Sequence, residues 1–377
     1  MLTLRLPPVV HVTESFAGGT ASAIVDYVNS VPERRHELIY AQRSGEPVSP
    51  EMLALFAQTT PLPAGHVRRV LLLRRLLHRR TGVIVHSHSS LGGTYVRMAV
   101  MKSIHRPLVH TPHCFAFERQ DVSRIKRSIF KIVELGLAMN TNVFIACSPR
   151  ERTLAARLNP FIPSLFVPNA VRSQRTDLVA FDDHVEEGKR AAGDFELSVV
   201  AAGRLSAQKD PDFLISVIHA ARSLGLYARI TWIGGGPQNE ITNLVEADVS
   251  VTGWTTRSEA RLHMRSADAY VHTAAWEGFP LTLLEAVDEG LPVVVRAIPA
   301  FDEIGLPLKA SSPMEMAQAL VSLTDPEERT RVRDASRAAL VGNTSAEQSR
   351  ALRSAYGALD RRILQVDDKS DMCKCAE

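Results

Sequence analysis

The sequence predicts an α/β protein of two parallel-sheet domains in series, and three observations predict it. Short β-branched runs alternate with longer amphipathic stretches, the order of strand, helix and strand that a helix-covered parallel sheet requires. The alternation runs twice, on either side of a polar stretch near 173–193 where strand patterning stops. At 377 residues the chain is too long for one ordinary domain of this kind and long enough for two cores.

In the first half, strands are expected at 9–13, 37–41, 82–87, 107–111 and 142–146, with helices near 20–31, 67–80, 91–103 and 123–139. In the second half, strands are expected at 197–202, 228–233, 249–252, 269–272 and 292–295, with helices near 211–224, 257–266, 281–289 and 314–323. The expected division is an N-terminal Rossmann-like domain over 1–175, a linker over 176–193 and a C-terminal Rossmann-like domain over 194–345. A helix over 346–365, able to pack back toward the N-terminal domain, and a mobile tail over 366–377 follow. The two domains are expected to face each other across a cleft, with ligands beyond the carboxyl ends of the strands.

Composition narrows the function. A formal charge of +3 is too small to argue for nucleic acid. No apolar run reaches the roughly 18–20 residues of a membrane span, and the start of the chain lacks a signal peptide's pattern. Four cysteines, two of them in the last five residues, make no disulfide framework, so a reducing cytoplasm is expected. Cys373 and Cys375 without further ligands make a poor metal site.

The most informative stretch runs from Glu277 through Gly278, Phe279, Pro280 and Leu281 to Glu285. Pro280 suits a first helical turn, Leu281, Leu284 and Val287 form a core stripe, and Gly290 suits the stop. Glu277 therefore precedes the helix, and Glu285 lies about one and a half turns into it. Carboxylates at both places can bind hydroxyls at two points of one elongated ligand, with the helix start between them suiting a phosphate. On spacing alone, a loop acid and a solvated helix acid would look the same.

Gly203, Arg204 and Lys209 lie on the loop after strand 197–202. Arg and Lys there suit a cationic clamp for a departing diphosphate, and equally a pair of surface cations. Asp210-Pro211-Asp212 matches the Asp-x-Asp of metal-dependent sugar transferases. Its Pro argues instead for a helix start, with Asp210 as N-cap and Asp212 in the first turn. Gly234-Gly235-Gly236 permits close backbone approach to a nucleotide. Thr252-Gly253-Trp254 ends the next strand, where its backbone could read a base edge or Trp254 could simply pack.

Together these stations, in this order, resemble the C-terminal half of glycosyltransferase family 4, the retaining GT-B enzymes of glycosyl transferases group 1. Gly18-Gly19, His113, Ala146-Cys147-Ser148 and Val167-Pro168-Asn169 extend the resemblance over nearly the whole chain. It implies an α/β GT-B fold with an acceptor-side N-terminal domain and a nucleotide-sugar-binding C-terminal one. It implies catalytic roles for Arg204, Lys209, Glu277 and His113. Donor binding would fall to Gly18, Gly19, Asn169, Gly203, Gly235, Trp254, Gly278, Phe279, Pro280, Leu281 and Glu285. Arg204 and Lys209 would hold the diphosphate, Glu277 the sugar hydroxyls and Glu285 the ribose.

The expected reaction moves a hexosyl group from a UDP- or GDP-sugar to a hydroxyl of a glycan or lipid-linked acceptor, in cell-surface polysaccharide or glycoconjugate synthesis. No metal or other cofactor is expected. A nucleotide-sugar epimerase or phosphorylase of the same fold, or a non-catalytic sugar-binding protein, is the alternative. The triple-glycine dinucleotide fingerprint is absent at Gly18-Gly19, which argues against NAD chemistry. His86, His88, His110 and His113 cluster at the ends of two expected strands, but no acid accompanies them at zinc-ligand spacing. The basic amphipathic segment from Val67 to Arg80, extended by Arg119, Arg124, Lys126, Arg127 and Lys131, can lie on an anionic membrane or pack as an ordinary helix with a solvated face. A cytoplasmic protein, able to be peripheral at the inner membrane face, is expected.

Overall fold

The computed structural model describes residues 6–43, 46, 48–171 and 197–374, and the side chains of these up to 364. The linker expected at 176–193 lies outside the described residues. The chain divides into two compact units, Met1–Ala170 with Thr344–Glu377, and Val171–Asn343.

The first unit holds a seven-stranded parallel sheet in the order β3-β2-β1-β4-β5-β6-β7. Its strands are β1 (Val9–Thr13), β2 (His36–Tyr40), β3 (Gln58–Pro61), β4 (Ile84–His88), β5 (Leu108–Thr111), β6 (Val143–Ala146) and β7 (Ser164–Phe166). The helices are α1 (Gly18–Ser30), α2 (Pro50–Leu53), α3 (His66–Leu77), α4 (Ser90–Ala99), α5 (Arg124–Ala138) and α6 (Pro149–Leu158). Strands β1, β4, β5 and β6 are buried along their whole length, so none of them shows the apolar-polar alternation of a half-exposed strand.

Two helices stop earlier than their periodicity suggests, each because a side chain collects its last carbonyls. Arg106 Nη1 donates to Leu77 and His78 oxygens at 2.8 Å each, ending α3. Asn140 Nδ2 donates to Arg97 and Val100 oxygens at 2.7 and 2.8 Å, ending α4.

The second unit holds six parallel strands in the order β10-β9-β8-β11-β12-β13. These are β8 (Leu197–Ala202), β9 (Ala228–Ile233), β10 (Val249–Val251), β11 (Ala269–His272), β12 (Val293–Arg296) and β13 (Leu308–Ala310). Its helices are α7 (Pro211–Ser223), α8 (Gln238–Glu246), α9 (Arg257–Arg265), α10 (Leu281–Asp288), α11 (Pro313–Ser322) and α12 (Pro326–Ala339). The core joins β8, β9 and β11 to Phe213, Leu214, Val217, Met316 and Leu320 from α7 and α11.

The last helix, α13 (Ser345–Lys374), belongs to the first unit and runs past the 365 limit expected of it. Leu352, Tyr356, Leu359 and Ile363 enter the core around Val9, Tyr27 and Val31. Each such buried side chain stabilises the docking by about 1.5–3 kcal/mol. Direction comes from polar contacts: Ser30 Oγ donates to Gln348 at 2.8 Å, Gln348 Nε2 to the Pro168 oxygen at 2.9 Å, and Arg34 pairs with Asp360.

Candidate active site

In the second unit the strand order reverses between β8 and β11, so a crevice opens where their carboxyl ends diverge. The loops leaving these two strands are tied together there. Ala275 N–H donates to the Gln208 oxygen at 2.9 Å, Gln208 Nε2 to the Trp276 oxygen at 3.0 Å, and Thr273 Oγ1 to the Lys209 oxygen at 2.6 Å. This frame brings the Lys209 ammonium onto Glu277 Oε1. The structure thus unites two residues 68 positions apart, both mostly buried. His272, the last residue of β11, holds Nε2 3.7 Å from the same carboxylate oxygen. Burial, and then the Lys209 charge, push its pKa well below 6.5, so this imidazole is neutral.

Glycines let the loop close. Gly203 has φ +141°, and a Cβ there would lie 2.7 Å from Lys209 Cε, so the lysine stem runs directly over it. Gly234 has φ +133°, and a Cβ on it would collide with the Gly203 carbonyl oxygen, which also accepts from Trp232 Nε1 at 2.8 Å. A Cβ on Gly236 would strike Leu205. The close approach expected of a nucleotide at this turn is made, at Gly234 and Gly236, by the chain's own 203–205 backbone. Gly235 differs: a Cβ there would reach the Trp254 indole at 3.0 Å, and Trp254 stands exposed over it.

Pro280 is the N-cap of α10 rather than its first residue, with ψ 126° and no side-chain cap bond, so the helix begins at Leu281. Gly278, Phe279 and Pro280 carry the chain from Glu277 to this uncapped start. Leu281, Leu284 and Val287 are buried, as their spacing predicts. Glu285 is buried too, which excludes a solvated helix acid. Its Oε1 accepts from Arg257 Nε at 2.5 Å, the first rung of a ladder in which Arg261 pairs with Asp288 and Glu289, and Arg265 with Glu289. Arg257, Arg261 and Arg265 recur every four residues on α9, a signal legible in the sequence but without a partner until α10 is placed. Arg204 lies half-buried on the same loop as Lys209.

Asp210 caps α7, accepting from the Phe213 N–H at 3.2 Å, and pairs with Arg296 Nη1 at 2.6 Å. Asp212 is in the first turn. The Asp-Pro-Asp motif is thus a helix start.

In the first unit, Gly18 and Gly19 open α1 at the carboxyl end of β1. Both are exposed, a Cβ on either would meet no atom within 4 Å, and Gly18 has φ +51°. His113 follows β5 in a left-handed backbone, φ 53°. Glu151 accepts from the Cys114 and Cys147 N–H groups at 2.8 and 2.7 Å, pinning the loops after β5 and β6 together. Ser148 caps α6 through the Glu151 N–H at 3.1 Å. Asn169 is buried in the segment after β7.

The histidine cluster divides by strand alternation. His110 faces Ser87 and the Arg97–Glu134 pair, away from His86 and His88. The sequence grouping also omits two members, His11 on β1 and His36 on β2. His11, His86 and His88 place nitrogens within 4.8 Å of one another. Each of their ring nitrogens already has a protein partner: His86 has the Tyr356 and Thr111 hydroxyls, and His11 and His88 bond each other and two further imidazoles.

Comparison with known proteins assigns both halves of the chain to one family. Residues 18–170 match the glycosyl transferase 4-like domain, and residues 196–325 match glycosyl transferases group 1. An uncharacterized 41.2 kDa protein in the cps region of Klebsiella pneumoniae is 24% identical over 304 residues, 78% of this chain and 82% of that one. The Escherichia coli UDP-Gal:alpha-D-GlcNAc-diphosphoundecaprenol alpha-1,3-galactosyltransferase is 26% identical over 249 residues, 62% of each chain. Among solved structures, Anabaena Alr3699/HepE in complex with UDP and glucose superposes with a TM-score of 0.72 at 15% identity, covering 93% of this chain and 100% of that one. Two parallel-sheet units, the paired residues at the β8/β11 switch point and both domain matches lead to one conclusion: the chain is a GT-B glycosyltransferase of glycosyl transferases group 1.

Proposed function

We propose that the enzyme transfers a hexosyl group from UDP-sugar, without a metal and with retention of anomeric configuration, to a hydroxyl of a lipid-linked or glycan acceptor in cell-surface polysaccharide synthesis. The observation that carries this reading is the Lys209–Glu277 pair at the switch point, beside the uncapped start of α10. An ammonium has three donors, and Glu277 uses one. The others can meet a diphosphate without Lys209 first being reordered, and charge placed in advance is the main lever on a departing anion. Glu277, released in part from Lys209, can then accept from sugar hydroxyls. A cationic clamp supplies what a metal would, and Asp210, already bound to Phe213 and Arg296, is committed elsewhere.

The E. coli relative's name supplies the UDP and lipid-diphosphate elements of the reading, and the Klebsiella relative's cps location the polysaccharide element. GDP-sugar is the competing donor. Thermal shifts with UDP, GDP and ADP, each with and without EDTA, test it. UDP should stabilise by about 2.7 kcal/mol at a hundredfold excess over Kd, unchanged by chelation. Stabilisation by another nucleotide alone, or its loss in EDTA, would overturn the donor or the metal assignment respectively.

No helix among the described residues is long and apolar enough to cross a membrane. Peripheral contact belongs to this proposal, and its centre moves from α3 to α5. On α3, Leu73 and Leu77 are buried while Val67 and Leu71 are exposed. On α5, Ile125, Ile129 and Ile132, continued by the C-cap Met139, follow helical spacing along one exposed stripe, flanked by Arg124, Lys126 and Lys131. Apolar residues outward with cations at their margins suit an anionic bilayer. Ile129→Asp with Ile132→Asp should cut co-sedimentation with phosphatidylglycerol vesicles about tenfold while leaving the melting temperature unchanged. Equal sedimentation of wild type and variant would remove α5 from the contact.

A further inference from the structure

Four buried or half-buried imidazoles from four segments of the first unit form one hydrogen-bonded file. His36 Nε2 meets the Val31 carbonyl oxygen at 3.1 Å, and His36 Nδ1 meets His11 Nε2 at 3.0 Å. His11 Nδ1 meets His88 Nε2 at 2.9 Å, and His88 Nδ1 meets His113 Nε2 at 3.1 Å. We propose that His36, His11 and His88 are positioning residues that hold His113 as the Nε2–H tautomer with a bare Nδ1, making it a hydrogen-bond acceptor for a sugar hydroxyl and not an acid. The sugar in this statement rests on the function proposed above; the tautomer does not.

The direction of the file follows from its anchor. A carbonyl oxygen only accepts, so His36 Nε2 carries a proton. A neutral imidazole has one donor and one acceptor, so His36 Nδ1 is bare and must receive the His11 Nε2–H. The same step repeats at His88 and again at His113. Reversal would set the bare His36 Nε2 against the Val31 oxygen, lone pair facing lone pair in a buried place, the costly case for a polar group. Neutrality is supported independently: burial pushes His11 and His88 well below 6.5, His36 below it, and His113 down to about 4. Among the described residues none of the four rings is in an ion pair. His86, packed 4.1 Å from His88 between ring centroids, is held by Tyr356 and Thr111 and does not divert the file.

Aligned in one sense, successive N–H dipoles polarise one another, which strengthens the last lone pair as an acceptor. That lone pair is on His113, at the carboxyl edge of the sheet, where ligands of such sheets bind. The same reasoning removes a buried metal from His11, His86 and His88, because an ion would need nitrogens that the file already uses.

The test is long-range proton–nitrogen NMR on the full chain with 15N-labelled histidine at pH 7. His11, His36, His88 and His113 should each show a proton on Nε2 alone. A His113 protonated at Nδ1 or at both nitrogens overturns the proposal, as does one equivalent of zinc per purified chain. His36→Gln keeps one donor for Val31 and one acceptor for His11, so the His113 signal should stay; His36→Phe removes the anchor, and His113 should show both tautomers. An unchanged His113 spectrum in His36→Phe would refute the relay. In calorimetry with UDP-galactose and UDP, His113→Phe and His36→Phe should each weaken the sugar nucleotide about fivefold and UDP not at all, the worth of one neutral hydrogen bond. Equal weakening by His36→Gln would demote His36 to packing. Wild-type protein that binds neither probe removes the hydroxyl, while the nitrogen spectra still decide the tautomer.

Discussion

Along the carboxyl edge of the C-terminal sheet, charges are matched in pairs: Lys209 with Glu277, Arg296 with Asp210, Arg257 with Glu285. The corresponding edge of the N-terminal sheet carries His88 and His113, the last two of a file of neutral imidazoles that starts with His36 at the amino end of β2. The two sheets share a topology and differ in how they prepare a ligand site. A paired charge can be offered to an incoming anion at little cost in reordering, whereas an imidazole is prepared by fixing which nitrogen holds the proton. Salt and charge removal should therefore act on the first edge, and acid on the second.

The largest expected effect is at the charged edge. Lys209→Ala should lower the transfer rate about 100-fold or more, the scale of removing one preorganised donor from a developing anion. It also leaves Glu277 mostly buried without its cation, at a cost of about 3 kcal/mol, the low end for a broken buried pair because both side chains keep some exposure. Here His272 gives a directional check. Without Lys209, the charge that disfavours its imidazolium is gone and Glu277 lacks a partner, so its pKa should rise. A raised folded pKa adds stability below that value. The melting-temperature gap between wild type and variant should accordingly narrow from pH 7.5 to 5.5. A widening gap, or a rate loss under fivefold, would take Lys209 out of this role.

Acid should break the other edge next. His11, His36, His86, His88 and His113 have folded pKa values below their unfolded 6.5, with burial the first cause in each. Their contribution is complete above about pH 7 and is lost as pH falls from 6.5 toward the folded values, about 4 for His113. Each imidazole that must stay neutral adds about 1.4 kcal/mol of loss per pH unit in that window. Burial raises the pKa of Glu14 and Glu151, which offsets part of this between 4.5 and their folded values. The urea midpoint should still fall steeply between pH 6.5 and 5; a midpoint that holds or rises there would contradict buried neutral histidines.

These contrasts also separate what the sequence discloses from what it conceals. β8, β9 and β11 lie where their apolar runs place them, because central strands buried on both faces leave an unbroken signal. β3, β7 and β13 pass unnoticed in the sequence: edge strands of three or four residues, such as Gln58–Pro61, carry little of that signal. α12 shows mostly charge, with Val332 and Ser336 its buried residues. At the site, Lys209 and Glu277 are legible as residue types at strand ends, but their pairing needs the β8/β11 crossover. His11 and His36 are invisible as site residues, since nothing local to either strand shows that β1, β2 and β4 are neighbours.

A smaller effect sharpens the division between binding and structure at Glu285. Its ladder with α9 means that Glu285→Gln should cost the free protein about 1–2 kcal/mol, because Arg257 loses a charged partner. If the carboxylate also binds ribose, UDP affinity should fall about tenfold in the same variant. Arg257→Ala breaks the rung from the other side. Loss of stability in both variants with UDP affinity reduced only in Glu285→Gln would assign both roles; intact UDP binding in both would leave Glu285 to the ladder.

The smallest effect has the most telling sign. Gly19 lies in the first turn of α1 with open space around it, and its φ is not in the left-handed region. Alanine there should stabilise the free protein by about 0.5–1 kcal/mol through helix propensity and a less flexible unfolded chain. Gly18 has equal space but φ +51°, so alanine there should cost about 1 kcal/mol. A site that requires bare backbone at this turn makes both variants poorer enzymes despite opposite changes in stability. Gly19→Ala should therefore melt higher and turn over more slowly, a combination that misfolding cannot produce. Should it melt higher with full activity, the paired glycines would be serving the turn into α1 alone.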